Sequence, residues 1–124
     1  MSNSVIADII SESVREEPCE LLCLHNGLVI ALSPRALGCY RSCEAVQDPL
    51  GNGLLAFCQL AEQHSIQFQE QRCVTTYSGG YVGLCDGKAL LIAPGKVRLF
   101  ANNEDGLRGI NVLAEMDLPD IDVR

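Results

Sequence analysis

Four cysteines in the first part of the chain are the residues best suited to chemistry. They form two pairs with the spacing CxxxC, Cys19 with Cys23 and Cys39 with Cys43. Structural zinc is held by four sulfur or nitrogen ligands in a tetrahedron, with paired ligands usually two to four residues apart. The spacing is therefore compatible with three interpretations of these four cysteines: structural thiols, a zinc site and a redox-active pair.

Strand geometry argues against a shared metal ion. Residues four apart in an extended strand are separated by about 13 Å, too far for both to bind one ion. Structural thiols are therefore the preferred interpretation, ahead of zinc and of redox pairing. The other three cysteines, Cys58, Cys73 and Cys85, lie in apolar segments, where a thiol packs as a small hydrophobic side chain.

A catalytic thiol needs a base beside it, and the chain has only two histidines. His25 lies at a predicted hairpin turn and His64 at a predicted helix end. We therefore expect a non-enzymatic protein, with a cysteine-dependent enzyme kept as an alternative function.

Charge limits the partners of the chain, and hydropathy limits its location. Sixteen acidic and nine basic side chains give a net charge of −7, which repels a phosphate backbone and argues against nucleic-acid binding. The N-terminal segment lacks the basic and apolar regions of a signal peptide, and no window reaches the roughly 18 apolar residues of a membrane span. The sequence predicts a cytoplasmic protein that does not enter a membrane.

The pattern of apolar residues predicts the elements that position these side chains. An amphipathic helix begins near Asn3 and ends before Pro18, and strands follow near 20–25, 28–33 and 36–41. Asn26 and Gly27 indicate a hairpin with a type I′ turn.

The second half of the chain is predicted in the same way. A second helix is expected over about 53–64, a half-exposed strand in SIQFQEQRCVTTY, and three further strands in SGGYVGLC, KALLIAP and KVRLF. A last helix is capped by Asn102 or Asn103 and has an apolar stripe formed by Leu107, Ile110, Leu113 and Met116. Residues 117–124 form an acidic tail.

These elements define an α+β fold in one domain, residues 1–124, with one antiparallel sheet of six to seven strands in two meanders and three helices mainly on one face. The segment HNGLVIALSP at 25–34 resembles CDGKALLIAP at 85–94. This similarity suggests a weak internal repeat, in which residues 81–120 correspond to residues 21–60. Two independently formed meanders explain the echo as well as a duplication does, and we prefer that explanation.

The strands LVIAL and ALLIA are apolar on both faces. Such strands need cover on both sides of the sheet, and three modest helices cover only one. A second copy of the chain is the economical cover for the other face, so a homodimer is expected.

The predicted order of helix, three strands, helix, strands and helix, with hairpins such as CLHNGLVIAL and LCDGKALLIAP, is similar to that of the type III secretion chaperones. The resemblance implies a dimeric chaperone or adaptor that binds a protein segment along a groove or sheet edge. Such a protein-interaction module is the first functional hypothesis. A small-molecule or zinc-binding sensor module is the alternative from a different class.

Overall fold

The computed structural model describes residues 3–70, 72–77, 80–84 and 86–118, and these form nine strands and two α-helices. In chain order the elements are α1 (Asn3–Glu16), β1 (Glu20–Leu24), β2 (Val29–Leu32), β3 (Ala36–Tyr40), a 3₁₀ helix (Glu44–Gln47), β4 (Leu54–Gln59), a second 3₁₀ helix (Glu62–His64), β5 (Arg72–Tyr77), β6 (Gly80–Gly83), β7 (Ala89–Ala93), β8 (Lys96–Phe100), α2 (Asn103–Arg108) and β9 (Val112–Asp117). No helix among these residues is long and apolar enough to cross a membrane.

The strands form two sheets rather than the single sheet expected from the sequence. In the first sheet, β4, β3, β2 and β1 are antiparallel neighbours, and β5 extends it parallel to β1. In the second sheet, β6, β7, β8 and β9 follow one another as an antiparallel meander. The fold class α+β with antiparallel sheets is confirmed. The number of strands and the position of the helices differ from the prediction.

Two apolar layers hold the fold together. The first, which we call the inter-sheet core, lies between the two sheets, and the second, the helix-facing core, lies between α1 and the first sheet. The inter-sheet core contains the buried residues Leu22, Leu28, Ile30, Leu32, Leu37, Cys39, Leu60, Ile66, Leu84, Leu90, Ile92, Val97, Leu99 and Met116. The helix-facing core contains Ile6, Ala7, Ile10, Val14, Cys19, Val29, Ala31, Ala36, Tyr40, Val46 and Leu54.

The helix predicted over 53–64 is wrong, because its first part is strand β4. Strand β4 pairs with β3, but Leu55 is an extra residue in the register, between the partners of Cys39 and Tyr40. This bulge places Leu55 and Ala56 in contact with the same inter-sheet core, while Leu54 belongs to the helix-facing core. The bulge interrupts the alternation of side chains between the two faces of the sheet. The apolar residues of this segment therefore have a spacing that is typical of a helix.

The last predicted helix is shorter than expected. Helix α2 begins after Asn102, whose side chain accepts a hydrogen bond from the Asp105 N–H, as the predicted cap requires. It ends at Gly109, where the backbone has a φ of 68°. Met116, expected on the helical stripe, lies instead in β9. The strand expected to begin near Ile66 begins at Arg72, and the tail beyond residue 118 lies outside the described residues.

The first meander, β1 to β4, and the second, β6 to β9, have equivalent strand pairing, and their first three strands are offset by 60 residues. Every pair of residues that joins β1 to β2 has its counterpart sixty residues later between β6 and β7, and the same holds for β2 with β3 and β7 with β8. Strand β9 carries an extra residue, Leu113, at the position that corresponds to Leu55 in β4. The offset between β4 and β9 is 58, because the connection before β9 is shorter. A common origin of the two halves remains the alternative to two independently formed meanders.

The turns of the two first hairpins are also equivalent, but they differ from the predicted type I′. The Gly27 N–H donates to the Leu24 carbonyl and the Leu24 N–H to the Leu28 carbonyl, which closes a three-residue loop. Gly27 has a φ of 90°, and Asn111 is the one non-glycine residue with a positive φ in the described chain. Because Asn26 is therefore not left-handed, the loop is a turn with a terminal glycine bulge. The same two bonds recur sixty residues later.

Strand β2 shows what covers the doubly apolar sheet. Ile30 and Leu32 point into the inter-sheet core, while Val29 and Ala31 point into the helix-facing core. The second sheet and helix α1 of the same chain thus provide the two covers. The reason for expecting a homodimer, an uncovered face of this sheet, is therefore removed.

Asp86 joins the second meander to the segment that crosses over from the first. Its carboxylate accepts hydrogen bonds from the Gln67 N–H at 3.0 Å, the Lys88 N–H at 3.0 Å and the Lys88 Nζ at 2.8 Å. Burial alone would raise the pKa of Asp86, but these bonds and the charge of Lys88 hold it below its ordinary value. Asn26, its counterpart in the first meander, accepts a bond from the Leu28 N–H within its own turn.

Replacing Asp86 by asparagine should lower the free energy of unfolding at pH 7 by about 1–2 kcal/mol, because the charged partner of Lys88 is lost. The carboxylate of the folded state has a lowered pKa, so its contribution is present above the unfolded pKa near 4 and disappears as the pH falls through the folded value. Urea unfolding should therefore show a larger difference between the two proteins at pH 7 than at pH 3, where part of the carboxylate's contribution is lost. A difference of equal size at both values would contradict the ionic origin.

Helix α1 lies close to the first sheet because Gly38 has no side chain. A Cβ at Gly38 would lie 2.8 Å from both the Ile10 Cδ1 and the Tyr40 Cε1 atoms. The corresponding residue of the second sheet is Arg98, whose guanidinium contacts Glu115 at 2.8 Å. The equivalent face of the second sheet is therefore shaped for a charged layer and not for a helix like α1.

Gly38→Ala should destabilise the protein by about 1–3 kcal/mol, because the new methyl group overpacks the contact between α1 and β3. The matched control is Gly83→Ala, also in a strand, where nothing lies within 4 Å of the added Cβ. The control should change stability by no more than about 0.5 kcal/mol. Equal effects of the two substitutions in thermal unfolding would show that packing against α1 is not the cause.

Candidate functional site

The structure brings together two of the four cysteines predicted as metal ligands. The Sγ atoms of Cys23 and Cys43 lie 3.5 Å apart, although twenty residues separate them in the chain. Cys23 is half-buried in β1, and Cys43 is exposed just before the first 3₁₀ helix. The contact is therefore between the CxxxC pairs and not within either of them.

Cys19 and Cys39 do not complete a common site. Cys19 belongs to the helix-facing core and Cys39 to the inter-sheet core, on opposite faces of the first sheet. Burial raises the pKa of Cys39 to about 11, and burial with nearby Glu17 and Glu20 raises the pKa of Cys19. Among the described residues, no three His, Cys, Asp or Glu side chains are grouped so that they could hold a metal ion. A zinc site at all four cysteines therefore stays an alternative that rests on their spacing alone.

The two histidines lie on separate loops. His25 is exposed in the turn between β1 and β2, and His64 is half-buried in the second 3₁₀ helix. Of the remaining cysteines, Cys58 is half-buried in β4, and Cys85 lies outside the described residues. Cys73 is in β5.

A second surface was not anticipated from the sequence. Four large apolar side chains are exposed around α2 and the beginning of β9, and we call this surface the α2 corner. The exposed fractions are 65% for Leu107, 43% for Ile110, 43% for Val112 and 42% for Tyr81. Sequence reasoning placed Leu107 and Ile110 on the buried stripe of a longer helix, and the early end of α2 at Gly109 is why they are exposed.

The α2 corner is anchored to the second sheet by Gly106. A Cβ at Gly106 would lie 3.4 Å from Phe100 and from Tyr81, so this glycine is the point at which the helix meets β8 and β6. The Tyr81 hydroxyl donates a hydrogen bond to the Gly106 carbonyl at 2.8 Å. Because Gly106 faces the sheet, the next residue, Leu107, faces solvent.

Charged side chains cover the face of the second sheet next to the α2 corner. Glu115 contacts Lys96 and Arg98 at 2.8 Å each, and Lys96 also contacts Asp117 at 3.2 Å. Hydrogen bonds from Lys96 and Arg98 lower the pKa of Glu115, and hydrogen bonds to Glu115 and Asp117 raise that of Lys96. The side chains of these ion pairs are exposed to water, so the pairs contribute little to the free energy of folding.

The helix-facing core contains an unusual hydroxyl group. The Tyr40 side chain is fully buried, and its hydroxyl has no hydrogen-bond partner in the described part of the chain. Burial and the nearby charge of Asp48 raise the pKa of Tyr40 well above its ordinary value. The group therefore stays protonated in the folded protein at pH values where an unfolded chain ionises.

Comparison of the chain with protein-family models, with curated proteins and with solved structures found no match in any of the three. The similarity to type III secretion chaperones therefore stands on the order of elements alone. That order included a helix over 53–64, where the structure has β4.

Tyr40→Phe should leave the protein as stable at pH 7 or stabilise it by about 1 kcal/mol, since a buried hydroxyl without a partner is removed. Because the folded pKa is raised, the stability of the wild-type protein should fall as the pH rises above about 10, and the variant should lose less. Tyr81→Phe is the control: it removes the bond to Gly106 and should cost about 1 kcal/mol. Unfolding at pH 7 and pH 10.5 measures both, and a destabilised Tyr40→Phe protein would indicate a bonded hydroxyl.

Proposed function

We propose that the protein is a non-enzymatic protein-interaction module that binds its partner at the α2 corner. The observation that supports the proposal is the exposure of four large apolar side chains, Leu107, Ile110, Val112 and Tyr81, at one end of the second sheet. Single exposed apolar residues are common on protein surfaces, whereas a group of them indicates a binding surface.

The α2 corner has a firm base, which favours a binding surface over a loosely packed end. Phe100 beneath it is almost completely buried, and Tyr81 is fixed by its bond to Gly106. The Asn102 cap and the left-handed Gly109 define both ends of α2. A rigid apolar surface loses little conformational entropy when a partner covers it.

The charge around the α2 corner favours a basic partner. In α2, the acidic side chains Glu104, which is 80% exposed, and Asp105 outnumber the single basic side chain Arg108, and the whole chain carries a net charge of −7. Complementary charge accelerates association and excludes partners of like charge. We therefore propose a protein segment with apolar anchor residues and flanking Lys or Arg side chains as the occupant.

A second copy of the chain is the alternative occupant of the α2 corner, although the sequence predicted a homodimer through a face of the sheet and not through this surface. Two copies would approach each other with like net charge, which makes a basic partner the better match. The zinc-sensor and cysteine-enzyme alternatives find less support in the described residues, where two thiols meet without a third ligand or an adjacent histidine.

The proposal is tested by titrating isotope-labelled protein with two synthetic helical peptides, one of leucine and lysine and one of leucine and glutamate. We expect saturable chemical-shift changes of residues 81 and 104–115 with the basic peptide and weak changes with the acidic one. The double substitution Leu107→Ser with Ile110→Ser should weaken binding at least about tenfold, which corresponds to 1.4 kcal/mol.

The matched control is Leu50→Ser, because Leu50 is 69% exposed but lies in the corresponding connection of the first meander. This variant should bind as the wild-type protein does. Shift changes spread over the whole surface, or equal weakening by Leu50→Ser, would contradict the proposal. Sedimentation of the protein alone tests the homodimer: a concentration-dependent dimer lost on the double substitution would assign the α2 corner to a second copy.

A further inference from the structure

We infer that Cys23 and Cys43 are a site of reversible disulfide formation, in which the protein exchanges with a low-molecular-weight disulfide such as oxidised glutathione. The inference is independent of the proposed interaction function, because it concerns the first sheet and the segment that follows β3, whereas the α2 corner belongs to the second sheet. It rests on the contact of the two sulfur atoms and on their different exposure.

The geometry needs only a small movement. The two Sγ atoms are 3.5 Å apart, and a disulfide bond is about 2.05 Å long, so they must approach by about 1.5 Å. Cys23 is held in β1 by its pairing opposite Val29. Cys43 precedes a 3₁₀ helix of four residues in the connection between β3 and β4, where the backbone can adjust without breaking a strand pair.

The exposure of the two residues assigns their roles. Cys43 is exposed and can be reached by a small disulfide, whereas Cys23 is half-buried behind it. The Cys43 thiolate attacks one sulfur of the small disulfide, which gives a mixed disulfide and releases one small thiol. The Cys23 thiolate then attacks the Cys43 sulfur and releases the second. Two cysteine thiols are oxidised, and one small disulfide is reduced to two thiols, with the two protons passing to the released thiolates.

The other described thiols are poorly placed for the same reaction. Cys19 and Cys39 are buried, and burial raises the pKa of each, which decreases the thiolate needed for attack. Cys58 contacts the Gln59 carbonyl at 3.7 Å. Among the five cysteines whose side chains the structure describes, Cys23 and Cys43 are therefore the pair placed for this reaction.

The bond would connect β1 to the segment beside α1. Val46 in the 3₁₀ helix after Cys43 belongs to the helix-facing core together with Ile6 and Ile10. The disulfide would close a loop of about twenty residues that contains β2 and β3. Closing a loop of that length reduces the entropy of the unfolded chain, and we expect the melting temperature to rise by roughly 5–10 °C on oxidation.

The test is to incubate the full-length protein in glutathione buffers of increasing oxidised fraction, block the remaining thiols, digest with trypsin and identify linked peptides by mass spectrometry. Cleavage after Arg15, Arg35, Arg41 and Arg72 places Cys23 on the peptide 16–35 and Cys43 on 42–72. We expect these two peptides to become linked, reversibly on addition of reduced glutathione, with the rise in melting temperature.

Cys23→Ser and Cys43→Ser should each abolish the link, and Cys23→Ser should retain glutathione on Cys43. Cys58→Ser is the matched control, because Cys58 shares the peptide 42–72 with Cys43, and it should leave the link intact. Cys19 shares the other peptide, and fragment-ion sequencing distinguishes it from Cys23 without a variant. The inference is overturned if no link forms at any ratio, if it persists in either variant, or if it involves Cys19 or Cys58.

Discussion

The structure depends on one constraint: the first sheet must be buried on both faces. Strand β2 has four buried residues in succession, two for each core layer, and it lies between β1 and β3 inside the sheet. Apolar surface removed from water contributes roughly 25 cal/mol per Å², so leaving either face open would cost several kcal/mol. Helix α1 and the second sheet satisfy this requirement within a chain of 124 residues. The other features of the molecule, including its two dissimilar outer surfaces, follow from this arrangement.

The two meanders show how equivalent backbones can serve different environments. The outer face of the first sheet has Gly38 and Ala36, which let α1 approach closely. The corresponding positions of the second sheet are Arg98 and Lys96, which form ion pairs with carboxylates of β9. The backbone register is the same, and the side chains alone decide whether the face receives a helix or water. The α2 corner lies at the end of this second face where the charged layer stops.

Several elements were predictable from the sequence because local chemistry determines them. Helix α1 has an apolar stripe and a proline after its end, the strands β1, β2, β3, β7 and β8 are short aliphatic runs between turn residues, and Asn102 caps α2 as expected. Strand β4 was not predictable because the bulge at Leu55 removes its alternation. The division into two sheets depends on which strands pair over long distances, and residue spacing does not encode that.

The candidate site shows the same limit. The contact of Cys23 with Cys43 joins a strand to a loop across a neighbouring strand, and no local motif specifies it. The CxxxC spacing singled out four cysteines, but the contact joins one cysteine of each pair, since residues four apart in a strand are too far apart to meet. The connection before the last strand of each meander has a further consequence. It is two residues longer in the first half than in the second, yet the strand pairing that follows, including the bulge, is the same in both halves. This segment is therefore where the architecture accepts a change of length, and insertions placed there would reshape the surface of the molecule without disturbing its sheets.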